Sequence, residues 1–285
     1  MTTSPLFDAP GPRTRRAFRV ANVLAVVALL GILAWVLAAL ADRGQLTAAK
    51  WEPFLSGSLW TDYLLPGITG TLEAAAISVV LAGVVGVVLG LGRLAPQAPV
   101  RAVSGALVEF FRAVPVLLMM VFVYQLLIVY RLVPPDRLAL TAVVTALTLY
   151  NGSVVAELVR SGVLSLPRGQ REAGLSVGLT YGQTLRAVLL PQGVTAMLPA
   201  LVSQLVVVVK DSALGYLIGY GELLRQAEYI STNYSNYLPA VIVIAAIFIA
   251  INVVLSGVAS RLSRVLRSRT AGRVRVPTAP EAARL

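Results

Sequence analysis

The sequence predicts an all-α membrane protein with about six transmembrane helices. Of its 285 residues, 57% are hydrophobic and only 13% are charged, against about 25% charged in a typical soluble domain. Six apolar segments approach or exceed the roughly 20 residues that a helix needs to cross the hydrocarbon core of a bilayer. These segments are residues 20–41, 66–92, 106–130, 138–160, 195–220 and 238–260.

The distribution of basic residues predicts how these spans are oriented. With the N-terminus in the cytoplasm, 17 of the 24 Lys and Arg residues lie on the cytoplasmic side, five lie outside and two lie within spans. This bias follows the positive-inside rule and places both termini and the loop after the fourth span in the cytoplasm. It also accounts for the net charge of +11, so nucleic acid is not expected as a partner.

The composition excludes several kinds of chemistry. The sequence contains no Cys and no His, which rules out disulfides, thiolate metal sites and histidine acid–base catalysis. It also contains no G-x-x-x-x-G-K-[ST] loop, so the chain does not hydrolyse ATP by that route. We therefore predict no catalytic residue, no metal ligand and no cofactor bound by this chain.

The N-terminal region is interpreted as a short basic segment, 1–19, followed by a retained first span. The apolar run is too long for the core of a typical signal peptide, although cleavage remains the alternative. Between the first two spans, Trp51, Trp60 and Tyr63 are residues that favour the membrane interface. Residues 20–65 are thus predicted to hold the first span and an external interfacial segment.

The second and third spans carry local features of their own. Small residues let helices approach closely in lipid, so the glycines of the second span predict that it packs inside a bundle; they are Gly83, Gly86, Gly90 and Gly92. In the third span, Glu109 and Arg112 are spaced to pair on one helix face, and Pro115 predicts a kink.

Polar groups at membrane depth mark the fourth and fifth spans. Such groups need partners in the bundle or along a water-filled path. In the fourth span they include Asn151 and Ser153, with a Glu157–Arg160 pair predicted at the cytoplasmic end. In the fifth span they include Gln204, Lys210, Asp211 and Ser212, for which bundle packing and substrate contact both remain open.

A mostly polar insert, EAGLSVGLTYGQTLRAVLLP, separates the fourth and fifth spans. Residues 172–177 are predicted to form one short helix, with Gly178 as a turn residue and Thr180 as a possible cap for a second. From Tyr181, apolar residues return with helical spacing at Leu185, Val188 and Leu189. We expect Pro191 to end this second helix. An ordinary amphipathic loop is the alternative interpretation.

The spacing of this insert resembles the signature cytoplasmic loop of the permease subunits of bacterial ABC importers. That loop reads Glu-Ala-Ala, three residues, Gly, nine residues, Ile, one residue, Leu-Pro. The matching positions here are Glu172, Ala173, Gly174, Gly178, Val188, Leu190 and Pro191. Gly174 replaces the second alanine, and Val188 replaces the isoleucine.

Three further segments resemble the polar amino acid branch of these permeases. They are Phe-Arg-x-x-Pro-x-Leu around Arg112, the string from Tyr150 to Gly162, and Lys-Asp-Ser-x-Leu followed by Ile-Gly-x-x-Glu-Leu. The last pattern extends from Lys210 to Leu223 and includes Glu222. The resemblance covers residues 66–260.

The resemblance implies a five-helix permease core, with the first span as an extra N-terminal helix and a coupling loop at 162–194. It implies a bacterial plasma membrane location and four kinds of partner: a cytoplasmic ABC ATPase dimer that carries ATP and Mg, a second permease subunit (paralogue or second copy), an extracytoplasmic amino acid binding protein, and membrane lipid. Glutamate or aspartate is the first expected substrate, followed by glutamine or a basic amino acid.

Roles follow for individual residues. The residues expected to couple the chain to the ATPase are Glu172, Ala173, Gly174, Gly178, Leu185, Val188, Leu190 and Pro191. Among them, Glu172 is expected to make polar contact, Gly178 to form the turn, and Leu185 and Val188 to pack. The substrate-path candidates are Arg112, Asn151, Ser153, Gln204, Lys210, Asp211 and Ser212.

The alternative function is an ATP-independent secondary transporter, with ion coupling carried by Asp211, Glu109 or Glu157. Its expected mark, inverted repeats with broken helices in both halves, is not evident in the sequence. The basic C-terminal segment, 261–285, is predicted to be disordered and held near anionic lipid.

Overall fold

A computed structural model gives the fold of residues 11–271, with only the backbone described at 262 and 266–271. Every regular element in this range is helical. The chain divides into two compact units, Met1–Ser56 and Gly57–Leu285, each described by itself.

The first unit contains the first membrane-spanning helix. Helix α1, Pro12–Asp42, starts earlier than the predicted span because Pro12 presets the backbone for the first helical turn. A short helix, α2 (Ala48–Trp51), follows and leads into a 3-10 turn. The indole Nε1 of Trp51 donates a hydrogen bond to the carbonyl of Gln45 at 3.1 Å, which ties this short helix to the turn after α1.

The second unit is a helical bundle. Its helices are α3 (Gly57–Leu59), α4 (Leu65–Arg93), α5 (Ala98–Ala113), α6 (Val116–Val129), α7 (Leu138–Leu164), α8 (Arg168–Ser176), α9 (Tyr181–Thr184), α10 (Leu190–Ser212), α11 (Leu223–Tyr234) and α12 (Tyr237–Ala271). Across both units, the described residues include five helical runs that are long and apolar enough to span a membrane, or six if α5 and α6 count as one broken span. This agrees with the predicted number.

The third predicted span, 106–130, is not one kinked helix. Helices α5 and α6 meet at an angle of 100°, because Val114 is extended and Pro115 disfavours a helical conformation in the residue before it. A Cβ added at Gly92, near the end of α4, would lie 2.1 Å from the Oγ of Ser104 in the middle of α5. Helix α5 therefore crosses the end of α4 and does not continue the line of α6.

The prediction that Pro191 ends the second loop helix is wrong. Residues Leu185–Leu189 form a π-helical turn in which the N–H of Leu190 donates to the carbonyl of Leu185. Proline lacks an N–H and clashes with the preceding turn of a regular α-helix, and the wider π turn relieves both constraints. Helix therefore continues from Tyr181 to Ile218, with α9 and α10 in one run.

Helix α7 lies at the centre of the bundle and packs against α4, α5, α6 and α10. Its contact with α4 depends on small residues, since a Cβ at Gly86 would meet Val155 at 2.4 Å and one at Gly90 would meet Val159 at 3.0 Å. The predicted glycine packing is confirmed at these two positions and at Gly92, which makes the close approach to α5 described above. It is wrong for Gly83, which faces open space.

The C-terminal segment also departs from expectation. Helix α12 continues to Ala271, so the prediction of disorder from residue 261 is wrong for 261–271. This stretch is rich in Arg and Leu and has no Gly or Pro, a composition that lets a helix propagate. The remainder of the predicted tail, 272–285, lies outside the described residues.

Candidate functional site

The polar insert folds into two short helices joined by a tight turn, here called the knob (residues 168–189). Gly178 adopts a left-handed conformation with φ of 85°, which glycine reaches without a steric penalty. Thr180 caps α9 through a capping box: its hydroxyl accepts from the N–H of Gln183, whose side-chain oxygen accepts from the N–H of Thr180 at 2.8 Å. The predicted turn residue and cap are both confirmed.

The angle between the two knob helices depends on Gly174. This residue is buried, and an added Cβ would lie 2.5 Å from the Cγ2 of Thr184. The Thr184 side chain is itself fully buried. The glycine that replaces the second alanine of the signature thus allows α8 to approach α9 closely.

The inner side of the knob is attached to the bundle by apolar packing. Leu185 and Leu189 form a buried cluster with Leu94, at the end of α4, and Val163, at the end of α7. Val188 and Leu190 pack against the same cluster. The hydroxyl of Tyr181 also donates a hydrogen bond to the carbonyl of Leu94 at 3.0 Å.

The outer side of the knob is exposed. Glu172 and Ala173 are exposed on α8, together with two apolar side chains, Leu175 at 45% and Val177 at 76%. Among the predicted coupling residues, Glu172 and Ala173 on α8 therefore face outward, whereas Gly174 on α8 and Leu185 on the π turn face inward. The outward set offers one carboxylate beside apolar surface.

Five charged residues form an ion-pair network at the end of the bundle that carries the knob. Arg93 contacts Glu157 at 2.7 Å and Glu109 at 3.2 Å. Arg160 donates two hydrogen bonds to Glu157, whereas Arg112 lies 3.9 Å from Glu109. The two predicted pairs are present. Arg93, which links α4 to α5 and α7, was not among the predicted residues. Its only local signal is its position as the basic last residue of α4.

Two of the substrate-path candidates lie side by side. The amide of Gln204 donates to the Oδ1 of Asn151 at 2.6 Å, and Asn151 donates in turn to the carbonyl of Leu147. Both side chains line an otherwise apolar cavity of about 220 Å³ between α4, α7 and α10. This pair is the polar feature of that cavity.

The other candidates lie elsewhere. The hydroxyls of Ser153 and Ser212 are buried and donate to carbonyls of their own helices, at 2.8 and 2.7 Å. Lys210 lines a separate cavity of about 350 Å³ between α10, α11 and α12, together with Asn252. Asp211 is partly buried, and Arg112 belongs to the ion-pair network. The structure therefore does not bring the predicted set together at one place.

Glu222 is a buried carboxyl at the end of the bundle opposite the knob. It caps α11 by accepting hydrogen bonds from the N–H groups of Leu224 and Arg225, both at 2.7 Å. Burial raises the pKa of Glu222 to about 7, against the lowering effect of these two hydrogen bonds. The adjacent Leu223 N–H donates to Thr71 at 3.0 Å, which anchors α11 to α4. In the sequence, Glu222 is apparent only as part of a motif.

Comparison with known proteins gives a match to a family model described as binding-protein-dependent transport system inner membrane component, over residues 82–268. The glutamate transport system permease protein GluD of Corynebacterium glutamicum is 49% identical over 242 residues, covering 85% of this chain and 89% of that protein. A probable glutamine ABC transporter permease protein of Bacillus subtilis is 34% identical, covering 70% and 92%.

Solved structures show the same architecture. A crystal structure of an amino acid ABC transporter with histidines includes a chain that is 30% identical, with a TM-score of 0.66, covering 72% of this chain and 94% of that one. An inward-facing methionine ABC transporter has a TM-score of 0.60 at 23% identity, covering 75% and 98%. This second likeness concerns the fold alone.

Proposed function

Because the chain belongs to the family of binding-protein-dependent transport system inner membrane components, we propose that it is the membrane-spanning permease of an ATP-driven importer of polar amino acids. It is a multi-pass membrane protein and a translocation subunit, not an enzyme. Its family implies a separate ATPase and a substrate-binding protein as partners. We further propose that the chain lies in a bacterial plasma membrane with both termini in the cytoplasm. Its proposed partners are an ATPase dimer that holds ATP and Mg, and a second permease subunit.

The knob is the observation that carries the coupling role. Its inner side is anchored to α4 and α7 through Leu185 and Leu189, while its outer side exposes Glu172 and Val177. A compact unit that is firmly attached on one side and free on the other is suited to follow a moving partner. We assign the outer side to the ATPase groove and the inner side to transmission of its movement.

Glutamate or aspartate is the proposed substrate, and glutamine or a basic amino acid is the next choice. The assignment is supported by the 49% identity to a glutamate transport system permease. The Asn151–Gln204 pair and Lys210 are the polar groups proposed to face the path. The pair lines a cavity between α4, α7 and α10, whereas Lys210 is exposed and lines an open groove between α10, α11 and α12. Lys210 would favour the negative charge of an acidic amino acid.

The test is uptake of radiolabelled glutamate by proteoliposomes that contain the chain, its second permease, the ATPase and the binding protein. We expect uptake to require ATP on the side of the membrane that carries the ATPase. Uptake should continue when ion gradients are collapsed. Uptake that needs an ion gradient and no ATPase would instead support the secondary transporter.

The knob is tested by ATP hydrolysis and by co-purification with the ATPase. Glu172→Ala is expected to reduce glutamate-stimulated ATP hydrolysis and co-purification with the ATPase. Glu52→Ala removes an exposed carboxylate in the other unit and should change neither. Equal effects of the two variants would contradict the assignment of Glu172.

A further inference from the structure

A basic pocket lies beside the knob, between the ends of α4 and α7 and the start of α5. It has a volume of about 350 Å³ and is lined by the guanidinium-bearing residues Arg93, Arg101 and Arg160, with Leu164 and Tyr181 on its wall. None of the described residues that line it is a carboxylate. The proposed transport function does not use this pocket.

The charges around the pocket are not balanced. Arg93 and Arg160 share Glu157, and Glu109 is shared between Arg93 and Arg112. Arg101 instead donates to the backbone carbonyls of Ala95 and Pro96, at 3.0 and 3.2 Å, and within the described part of the chain it meets no carboxylate. Positive charge therefore remains available to an anion, and guanidinium groups suit phosphate because they present paired donors.

The surroundings of the pocket favour a lipid as the source of that phosphate. Helix α5 starts at the pocket, crosses the end of α4 and exposes a stripe of apolar side chains: Val100, Val103, Leu107 and Phe110. Leu164, on the other side of the pocket, is 61% exposed. An amphipathic helix at the level where spanning helices end typically lies in the membrane interface, with its apolar face toward the acyl chains.

We propose that this pocket binds the headgroup of an anionic phospholipid, with the phosphate held by Arg93, Arg101 and Arg160 and the acyl chains lying against the α5 stripe and Leu164. A free phosphate ion would use the arginines but not the apolar surface on either side. Basic pockets between spanning helices are established binding places for anionic headgroups in general. The inference rests on the membrane-spanning architecture and holds whichever solute is carried.

Native mass spectrometry of the purified full-length chain, titrated with phosphatidylglycerol or phosphatidylcholine, tests the proposal. We expect phosphatidylglycerol to bind more tightly than phosphatidylcholine. Arg101→Gln should weaken phosphatidylglycerol binding by about fivefold, the effect of one basic residue at an anionic surface. Arg101→Lys keeps the charge and should retain most of the affinity.

Arg186→Gln is the matched control, because Arg186 is exposed on the knob and does not line the pocket. It should leave the affinity for phosphatidylglycerol unchanged. Four results would overturn the proposal: equal binding of the two lipids, equal losses in Arg101→Gln and Arg186→Gln, a loss in Arg101→Lys as large as in Arg101→Gln, or displacement of the lipid by inorganic phosphate at the same concentration. The last result would identify a site for free anions.

Discussion

Single residues in the knob differ in how far their neighbours along the chain determine their conformation. The positive φ of Gly178 and the cap at Thr180 depend on residues three or four positions away, so the sequence pattern was sufficient to predict both. The contact of Gly174 with Thr184 joins two helices across a turn. No local pattern specifies it, so in the sequence Gly174 is apparent only as the residue that replaces the second alanine of the signature.

Gly174→Ala should loosen the knob. The new methyl group would lie 2.5 Å from Thr184 Cγ2, and overpacking of this kind costs about 1–3 kcal/mol, which offsets or exceeds the gain of about 1 kcal/mol in helix propensity. We expect faster amide hydrogen exchange across the knob. Adding Thr184→Ala should restore slow exchange by removing the clash.

Gly169→Ala is the control for this prediction, because Gly169 lies in the same helix and faces open space. It gains the same propensity without the clash, so exchange should be unchanged or slower. Similar exchange in Gly169→Ala and Gly174→Ala would show that the close approach to Thr184 does not matter.

Glu222 should make stability depend on pH. Its pKa of about 7 in the folded protein lies above the ordinary value of 4.5, so between these values the folded state binds a proton that the unfolded state lacks. The contribution of protonated Glu222 to the free energy of unfolding is present in full below pH 4.5 and is lost as the pH rises toward 7. The change amounts to about 3 kcal/mol, which thermal unfolding in detergent from pH 4.5 to 8 would detect.

Glu222→Gln provides the comparison, because glutamine keeps the shape of the cap and does not titrate. The difference in melting temperature between the wild type and this variant should shift steadily across the pH range from 4.5 to 7. A constant difference would mean that the pKa of Glu222 is not raised in the folded protein.

Whole elements were predicted well where apolar periodicity is long and poorly where a proline is involved. The spans of α4 and α7 were located to within four residues, but α1 starts eight residues before its predicted span. Pro115 separates two helices at 100°, and Pro191 lies within a continuous helix. The outcome depends on the backbone before each proline: Val114 is extended, whereas a π turn precedes Pro191. A π turn has no sequence signature that would have revealed it.

The turn between the knob helices should be required for coupling. Gly178→Ala places a Cβ on a residue with φ of 85°, at a cost of about 1–2 kcal/mol. We expect fewer glutamate molecules transported per ATP hydrolysed in proteoliposomes. Gly182 faces open space and has ordinary helical geometry, so the Gly182→Ala variant should transport normally. If the two variants transport the same number of glutamate molecules per ATP hydrolysed, coupling does not depend on the geometry of the turn.

For the whole molecule, composition and charge bias predicted the class of architecture, because burial in lipid constrains every span in the same way. The tertiary arrangement was not accessible from one sequence. Arg93 pairs with residues 16 and 64 positions further along the chain, and the seven substrate-path candidates separate into several locations because helix packing, not spacing, determines their neighbours.

The absence of cysteine from the sequence makes orientation directly testable. Single cysteines are introduced at Val177, exposed on the knob, and at Thr232, exposed at the opposite end of the bundle. A membrane-impermeant maleimide should label Thr232→Cys in intact cells and Val177→Cys only in inverted vesicles. Ala142→Cys, fully buried in α7, should react in neither. The reverse labelling pattern would invert the proposed topology.

The continuous helix from Tyr181 to Ile218 has a mechanical consequence. It crosses α7 where Gly193 and Gly162 meet: a Cβ at Gly162 would lie 2.5 Å from the carbonyl oxygen of Gly193. This crossing can act as a fulcrum, with an arm of about 18 Å toward the knob and one of about 38 Å toward the other end. A shift imposed on the knob would therefore be passed along this helix, about that contact, toward the opposite end of the bundle.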